Sequence, residues 1–129
     1  MIGWFEKHNK ISWVITIIGA IAIFYISSLS FKGGGGPGIM SILYHILAFF
    51  CFALFLLISL VKGKEKYSLF ILGIIISIAY GISDEIHQFF VPGRYCSFSD
   101  VGLDSVGIVF AFMIYFISVK YRRNISSLS

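Results

Sequence analysis

Four long apolar runs divide the chain, and most of its charge is gathered in the short segments around them. The runs are Ile11 to Ser28, Ile39 to Val61, Tyr67 to Phe90 and about Asp100 to Lys120. Each is rich in Ile, Leu, Phe and Val with scattered Gly, Ser and Ala, and each approaches the roughly 20 residues a helix needs to cross a bilayer core. Pro92 ends the third. The pattern predicts an all-α fold, a four-helix transmembrane bundle with helices at about 11–28, 39–61, 67–90 and 100–120. Ser28-Leu29-Ser30 imitates a cleavage site after the first run. That run is longer than a signal-peptide core of about 7–15 residues and is preceded by only a modestly basic segment, so a retained helix is predicted.

Composition agrees with this division. The chain has 129 residues, 58% of them hydrophobic and only 12% charged, about half the charge of a soluble domain, and a mean hydropathy of +0.94. An integral membrane protein is predicted, one domain over residues 1–129, with no room for a separate soluble one. No internal repeat is visible. Gly33-Gly34-Gly35-Gly36-Pro37-Gly38 lacks the Gly-Lys-Ser/Thr of a P-loop and reads as a linker. Asn124 to Ser129 reads as a disordered tail.

Charge sets the expected topology. Lys7, Lys10, Lys62, Lys64, Lys66, Lys120, Arg122 and Arg123 fall at one end of the bundle, and Lys32 and Arg94 at the other. The positive-inside rule then predicts a multi-pass cell-membrane protein with both termini cytoplasmic. The net charge of +4 is on this view a topology signal rather than a nucleic-acid footprint, and the expected partners are membrane lipids. Tyr25, Tyr44, Tyr80 and Tyr95 fall near the outer boundary, where aromatic anchors are common. Cys51 and Cys96 differ too much in depth for a disulfide.

The chemistry is concentrated in residues 83–107, which the topology places on the outer face, in and around the loop between the third and fourth helices. This stretch holds Asp84, Glu85, Asp100 and Asp104, four of the six acids, together with His87, Gln88 and Arg94, the only arginine before Arg122. Charge at the edge of a membrane span is costly and is usually retained for function. Helical spacing aligns Asp84 with His87 and Gln88, with Glu85 about a quarter turn away, and stacks Asp100 over Asp104 with Gly107 on nearly the same stripe. Ser97-Phe98-Ser99-Asp100 has the form of a capping box, so Asp100 has a capping role to play as well. His45 lies roughly 9 Å into the second helix at 1.5 Å per residue, about the depth of Asp84 and Asp104. Three helices therefore point His45, Asp84, Glu85 and Asp104 toward one pocket under Val91-Pro92-Gly93-Arg94. The plainer readings stand beside this one: His45 as an interhelical hydrogen-bonding group, His87 as a solvated interfacial residue, Arg94 as a structural counter-ion for the acids.

Ser83-Asp84-Glu85, His87-Gln88, Val91-Pro92-Gly93-Arg94, Asp100-Val101 and Asp104-Ser105 with Gly107 resemble the signature of the VanZ-like family of small integral membrane proteins. His45 matches a histidine early in that family's second helix, and Phe24-Tyr25-Ile26-Ser27-Ser28 resembles the end of its first. Position 104 is Asp where many members carry Asn. The resemblance spans nearly the whole chain. It implies an outward-facing role in the envelope connected with tolerance to teicoplanin, and names no reaction.

Three function classes fit these residues. In an enzyme acting on a phosphate-bearing envelope lipid or lipid-linked precursor, Asp84 or Glu85 is the base and His45 an acid or ligand. Asp84, Glu85, Asp104 and His45 would hold a divalent metal such as Mg²⁺, Mn²⁺ or Zn²⁺. Arg94, with His87, Gln88 and Asp100, would bind the substrate. Without a cation the acids would repel phosphate. A non-catalytic protein would bind or shield a lipid-anchored envelope component. A structural plug would balance acids, histidine and arginine. The chain has no H-E-x-x-H zinc-protease motif, and a transporter of this size would require assembly into an oligomer.

Overall fold

The computed structural model describes residues 1–29, 38–94 and 96–128 and is helical almost throughout. The helices are α1 (Ile2–Lys7), α2 (Asn9–Ser27), α3 (Ile39–Val61), α4 (Tyr67–Phe89) and α5 (Phe98–Ser126). The last four are long and apolar enough to cross a membrane and correspond to the four predicted spans. The glycine linker, Lys32 and Tyr95 lie outside the described residues.

α3, the most apolar helix, runs through the middle of the bundle. It packs on α2, α4 and α5, whereas α2 and α5 do not meet among the described residues. Ile23, Phe49, Phe52, Ala53, Leu56, Ile108 and Ala111 form one buried cluster. Leu57, Ile58, Val61, Phe70, Tyr115 and Val119 form a second, nearer the termini. In lipid such contacts hold by close packing rather than by exclusion of water, so small residues decide where helices approach. A Cβ at Gly107 of α5 would run into the backbone carbonyl oxygen of Ile46 and approach the Phe50 nitrogen to 2.9 Å. A Cβ at Gly73 of α4 would lie 2.6 Å from Leu57 Cδ2. α2 is fastened to α3 by polar groups: Asn9 Nδ2 donates to the Ser59 carbonyl at 2.8 Å, and the buried Thr16 hydroxyl lies 3.5 Å from the Ser59 hydroxyl.

Three features depart from the sequence reading. The chain opens with a short helix, α1, broken from α2 at His8 (φ −99°, ψ 52°). It carries no apolar run and so gives no periodic signal. Phe5 packs edge-on against Phe55, and the Ser12 hydroxyl donates to the Phe5 carbonyl. The expected disordered tail, which begins at Asn124, is instead helical as far as Ser126, continuing a turn of α5 whose charges find partners. Arg122 binds the Glu6 carboxylate through both terminal nitrogens, at 2.7 Å for Nη2, and Arg123 pairs with Glu65. Tyr80, expected as an interfacial anchor, turns inward and donates its hydroxyl to the Ala20 carbonyl at 2.6 Å. Cys51 and Cys96 are free, as expected.

Glu6 is the keystone of the terminal end. Its carboxylate also accepts from Tyr115 Oη at 2.8 Å, and the same hydroxyl accepts from the Gly63 amide. Burial pushes the Glu6 carboxyl up, but the hydrogen bonds from Arg122 and Tyr115, with the Arg122 charge, outweigh it and hold the group below its ordinary value of 4.5. A depressed carboxylate contributes stability above its unfolded-state value and loses it as pH falls through the lowered one. Glu6→Gln should therefore cost about 1–3 kcal/mol in detergent at neutral pH, the scale for hydrogen bonds to a charged group. The difference from wild type should vanish in acid below the carboxylate range. Equal thermal stability at pH 7 would remove Glu6 from this role.

A second expectation concerns the closest helix approach. Gly107→Val should lower thermal stability by about 1–3 kcal/mol or more, as overpacking does. Gly102→Ala, on the same helix with nothing within 4 Å of an added Cβ, should be nearly neutral. Equal melting temperatures for both variants would contradict close α3–α5 packing at Gly107.

Candidate functional site: a buried carboxylate–histidine cluster

At the end of the bundle away from the termini, α3, α4 and α5 each turn polar side chains inward. α3 starts at Ile39 after its cap, Gly38, which puts His45 two turns in. α4 carries Asp84, Glu85 and Gln88 in its last two turns. α5 starts at Ser97, whose side chain accepts from the Ser99 amide at 3.2 Å, and presents Asp100 and then Asp104 one turn deeper. The packing at Gly107 sets the separation of α3 and α5 beside His45. Gly81 of α4 leaves room for Asp104, since a Cβ there would lie 3.3 Å from Asp104 Oδ2.

His45 Nδ1 lies 2.9 Å from Asp104 Oδ1, and Nε2 lies 3.9 Å from Asp100 Oδ2. Gln88 Nε2 donates to Asp84 Oδ2 at 2.9 Å and reaches Glu85 Oε1 at 3.3 Å. Glu85 Oε2 accepts the Ser97 amide at 2.9 Å. One ligand-type atom from each of His45, Glu85 and Asp104 lies within 4.8 Å of the other two. All three residues are at most 2% exposed, and Asp84 is 3% exposed. Asp100 is the more open member at the rim. Among the described residues, Asp84 Oδ1, Asp100 Oδ1 and Asp104 Oδ2 are buried without a hydrogen-bond partner. Burying polar atoms without partners costs a few kcal/mol each in a dry environment.

Two predicted members are placed differently. His87 faces α2, with Nε2 2.9 Å from Ser28 Oγ and its ring stacked on Phe24 at a centroid distance of 4.4 Å. Lying one residue before Gln88, it is turned about 100° around the helix from the amide that does reach the acids. Arg94 donates to the Leu29 and Ile26 carbonyls at 3.0 and 2.8 Å, and so caps the last turn of α2. The N-terminus of α5 is also built otherwise than a local capping box: the Ser97 amide is taken by Glu85 of α4, so the cap is a link between helices.

Tyr44 belongs to the site although the sequence suggested an interfacial anchor. Its ring packs edge-on against His45 at 5.5 Å, and its hydroxyl is buried without a hydrogen-bond partner among the described residues. Gly81 had a signal in the sequence, because it lies three and four positions before Asp84 and Glu85 on one face of α4; Tyr44 had none, since a residue directly before His45 is turned about 100° around the helix.

The cluster has the groups for proton transfer, a carboxylate-paired imidazole, and oxygen and nitrogen donors for a metal. It places three buried carboxyl groups beside one imidazole.

No curated protein and no solved structure matches the chain. A family model described as VanZ/LLP1 matches residues 4–119, which take in the four long apolar segments and every residue of the cluster. With four helices suited to crossing a bilayer and this match over most of its length, the chain is a multi-pass membrane protein of the VanZ/LLP1 family.

Proposed function

We propose that the cluster end of the bundle faces outward and acts on a phosphate-bearing envelope lipid or lipid-linked precursor. The observation that carries this reading is the convergence of His45, Glu85 and Asp104 from three helices, buried and with carboxylate oxygens left unpartnered. Acids inside a membrane are usually kept for chemistry. Glu85 or Asp84 serves as general base toward water or an acceptor hydroxyl. His45, oriented by Asp104, donates a proton to the leaving oxygen. Arg94, at the mouth, and Asp100, at the rim, meet the headgroup. The burial of the cluster favours a second reading, in which a lipid-anchored component is bound and shielded without turnover, as glycopeptide tolerance would require.

The chemistry is tested with protein reconstituted in lipid nanodiscs and supplied with a polyprenyl diphosphate or phosphatidic acid, reading released phosphate. Glu85→Gln and Asp84→Asn keep shape but remove the base, and the loss expected is about 10²–10⁴-fold. The same variants should forfeit any teicoplanin tolerance the wild type confers. Full activity in both variants, folded and inserted, would overturn the catalytic reading. Tolerance without phosphate release would favour shielding.

Orientation is tested separately. In a Cys51→Ala background, a membrane-impermeant maleimide added to intact cells should label the exposed Cys96. It should not label a cysteine placed at Lys64. The reverse pattern would put the cluster on the cytoplasmic side.

A further inference from the structure

The two ends of the bundle treat buried acid in opposite ways. At the terminal end both Glu6 oxygens are occupied, by Arg122 and Tyr115. At the other end Asp84 Oδ1 and Asp104 Oδ2 are buried with no donor among the described residues, on side chains at most 3% exposed. Among the described residues, the hydrogen-bond donors to Asp84, Glu85 and Asp104 are a single amide side chain, a backbone N–H and one imidazole. Three carboxyl groups sharing so few donors are stabilised by further positive charge placed among them.

We infer that a divalent metal cation is bound between α3, α4 and α5 by His45, Glu85 and Asp104, with Asp84 and Asp100 beside it. One atom from each of the three lies within 4.8 Å of the others, so that a small inward movement of the side chains brings all three to about 2.0–2.3 Å from a common centre. Each comes from a different helix, so the cation ties together the three elements that build the site. The donor set is one imidazole nitrogen with carboxylate oxygens. That mixture suits a first-row cation such as Mn²⁺ or Zn²⁺ better than Ca²⁺ or Mg²⁺, which prefer oxygen alone. In the proposed chemistry the cation supplies the counter-charge that lets a phosphate approach an acidic pocket. To that extent the inference rests on the proposed function, but its binding is measured without any lipid substrate.

The full chain in detergent is stripped with EDTA and titrated with MnCl₂, then in parallel with ZnCl₂, MgCl₂ and CaCl₂. Bound Mn²⁺ is read by loss of the free-ion EPR signal, and thermal unfolding is followed in the same samples. The expected result is saturable binding of about one Mn²⁺ or Zn²⁺ per chain, with a rise in melting temperature that grows with cation concentration. Glu85→Gln and Asp104→Asn should each weaken binding by tenfold or more, on the scale seen when ligand or supporting residues are lost. Asp100→Asn, at the rim, is the variant whose folding is least at risk, and it should weaken binding less. Glu6→Gln, at the opposite end, should leave affinity unchanged. Absence of saturable binding by all four cations would overturn the inference, as would binding that Glu85→Gln and Asp104→Asn leave intact in folded protein. Cation binding without phosphate release would support the inference while sinking the lipid chemistry. Phosphate release persisting in EDTA would do the reverse.

Discussion

The near-contact of α5 with α3 at Gly107 is the constraint on which the rest of the site depends. Only a residue without a side chain lets the α5 backbone come against the carbonyl of Ile46, and Ile46 directly follows His45. The approach that packs the bundle therefore also sets how far His45 stands from Asp104, three residues before Gly107. Gly81 serves the same end from α4, leaving the space that the Asp104 carboxylate fills. In a membrane, where apolar contact with lipid competes evenly with apolar contact between helices, such close approaches carry much of the specificity of packing. Here they lie within a turn or two of the polar cluster.

The bundle is polar at both ends, and the difference between them is informative. The terminal end is an interlock of opposite charges: Glu6 with Arg122, Glu65 with Arg123, and Tyr115 bridging Glu6 to the turn after α3. Every group there has a reason within the fold. The other end keeps carboxylates deep, links Glu85 to the start of α5 through Ser97, and leaves oxygens over. Because Glu85 joins the cluster and also caps α5, whatever binds among the acids is coupled to the loop that enters α5.

Much of this was legible in the sequence. The four spans stand out because a membrane helix must be apolar for about 20 residues, and the bounds of α3, Ile39–Val61, follow directly from its run. The stacking of Asp100 and Asp104 and the matching depth of His45 follow from helical spacing alone. What was hidden depends on partners distant in sequence. α1 is six residues long and is fixed by Phe55, Ser12, Tyr115 and Arg122, none of which a local window can connect to it. The tail reads as polar and loose until Arg122 and Arg123, just before it, are seen paired with Glu6 and Glu65. His87 shares the motif of Asp84 and Glu85 but lies at the wrong angle around α4, and its partner, Ser28, is 59 residues away. Tyr44 and Tyr80 look like interfacial tyrosines by depth, yet depth does not say whether a ring faces lipid or protein.

The central claim is that His45, Glu85 and Asp104 are one cation site rather than three separate solutions to burying polar atoms. Crystals of the full chain soaked in Mn²⁺ test it most directly, through the anomalous scattering of the metal. The prediction is a strong peak within about 2.0–2.3 Å of a donor atom of each of the three side chains. Ordered side chains at this end of the bundle with no peak between them, or a manganese peak elsewhere, would contradict it.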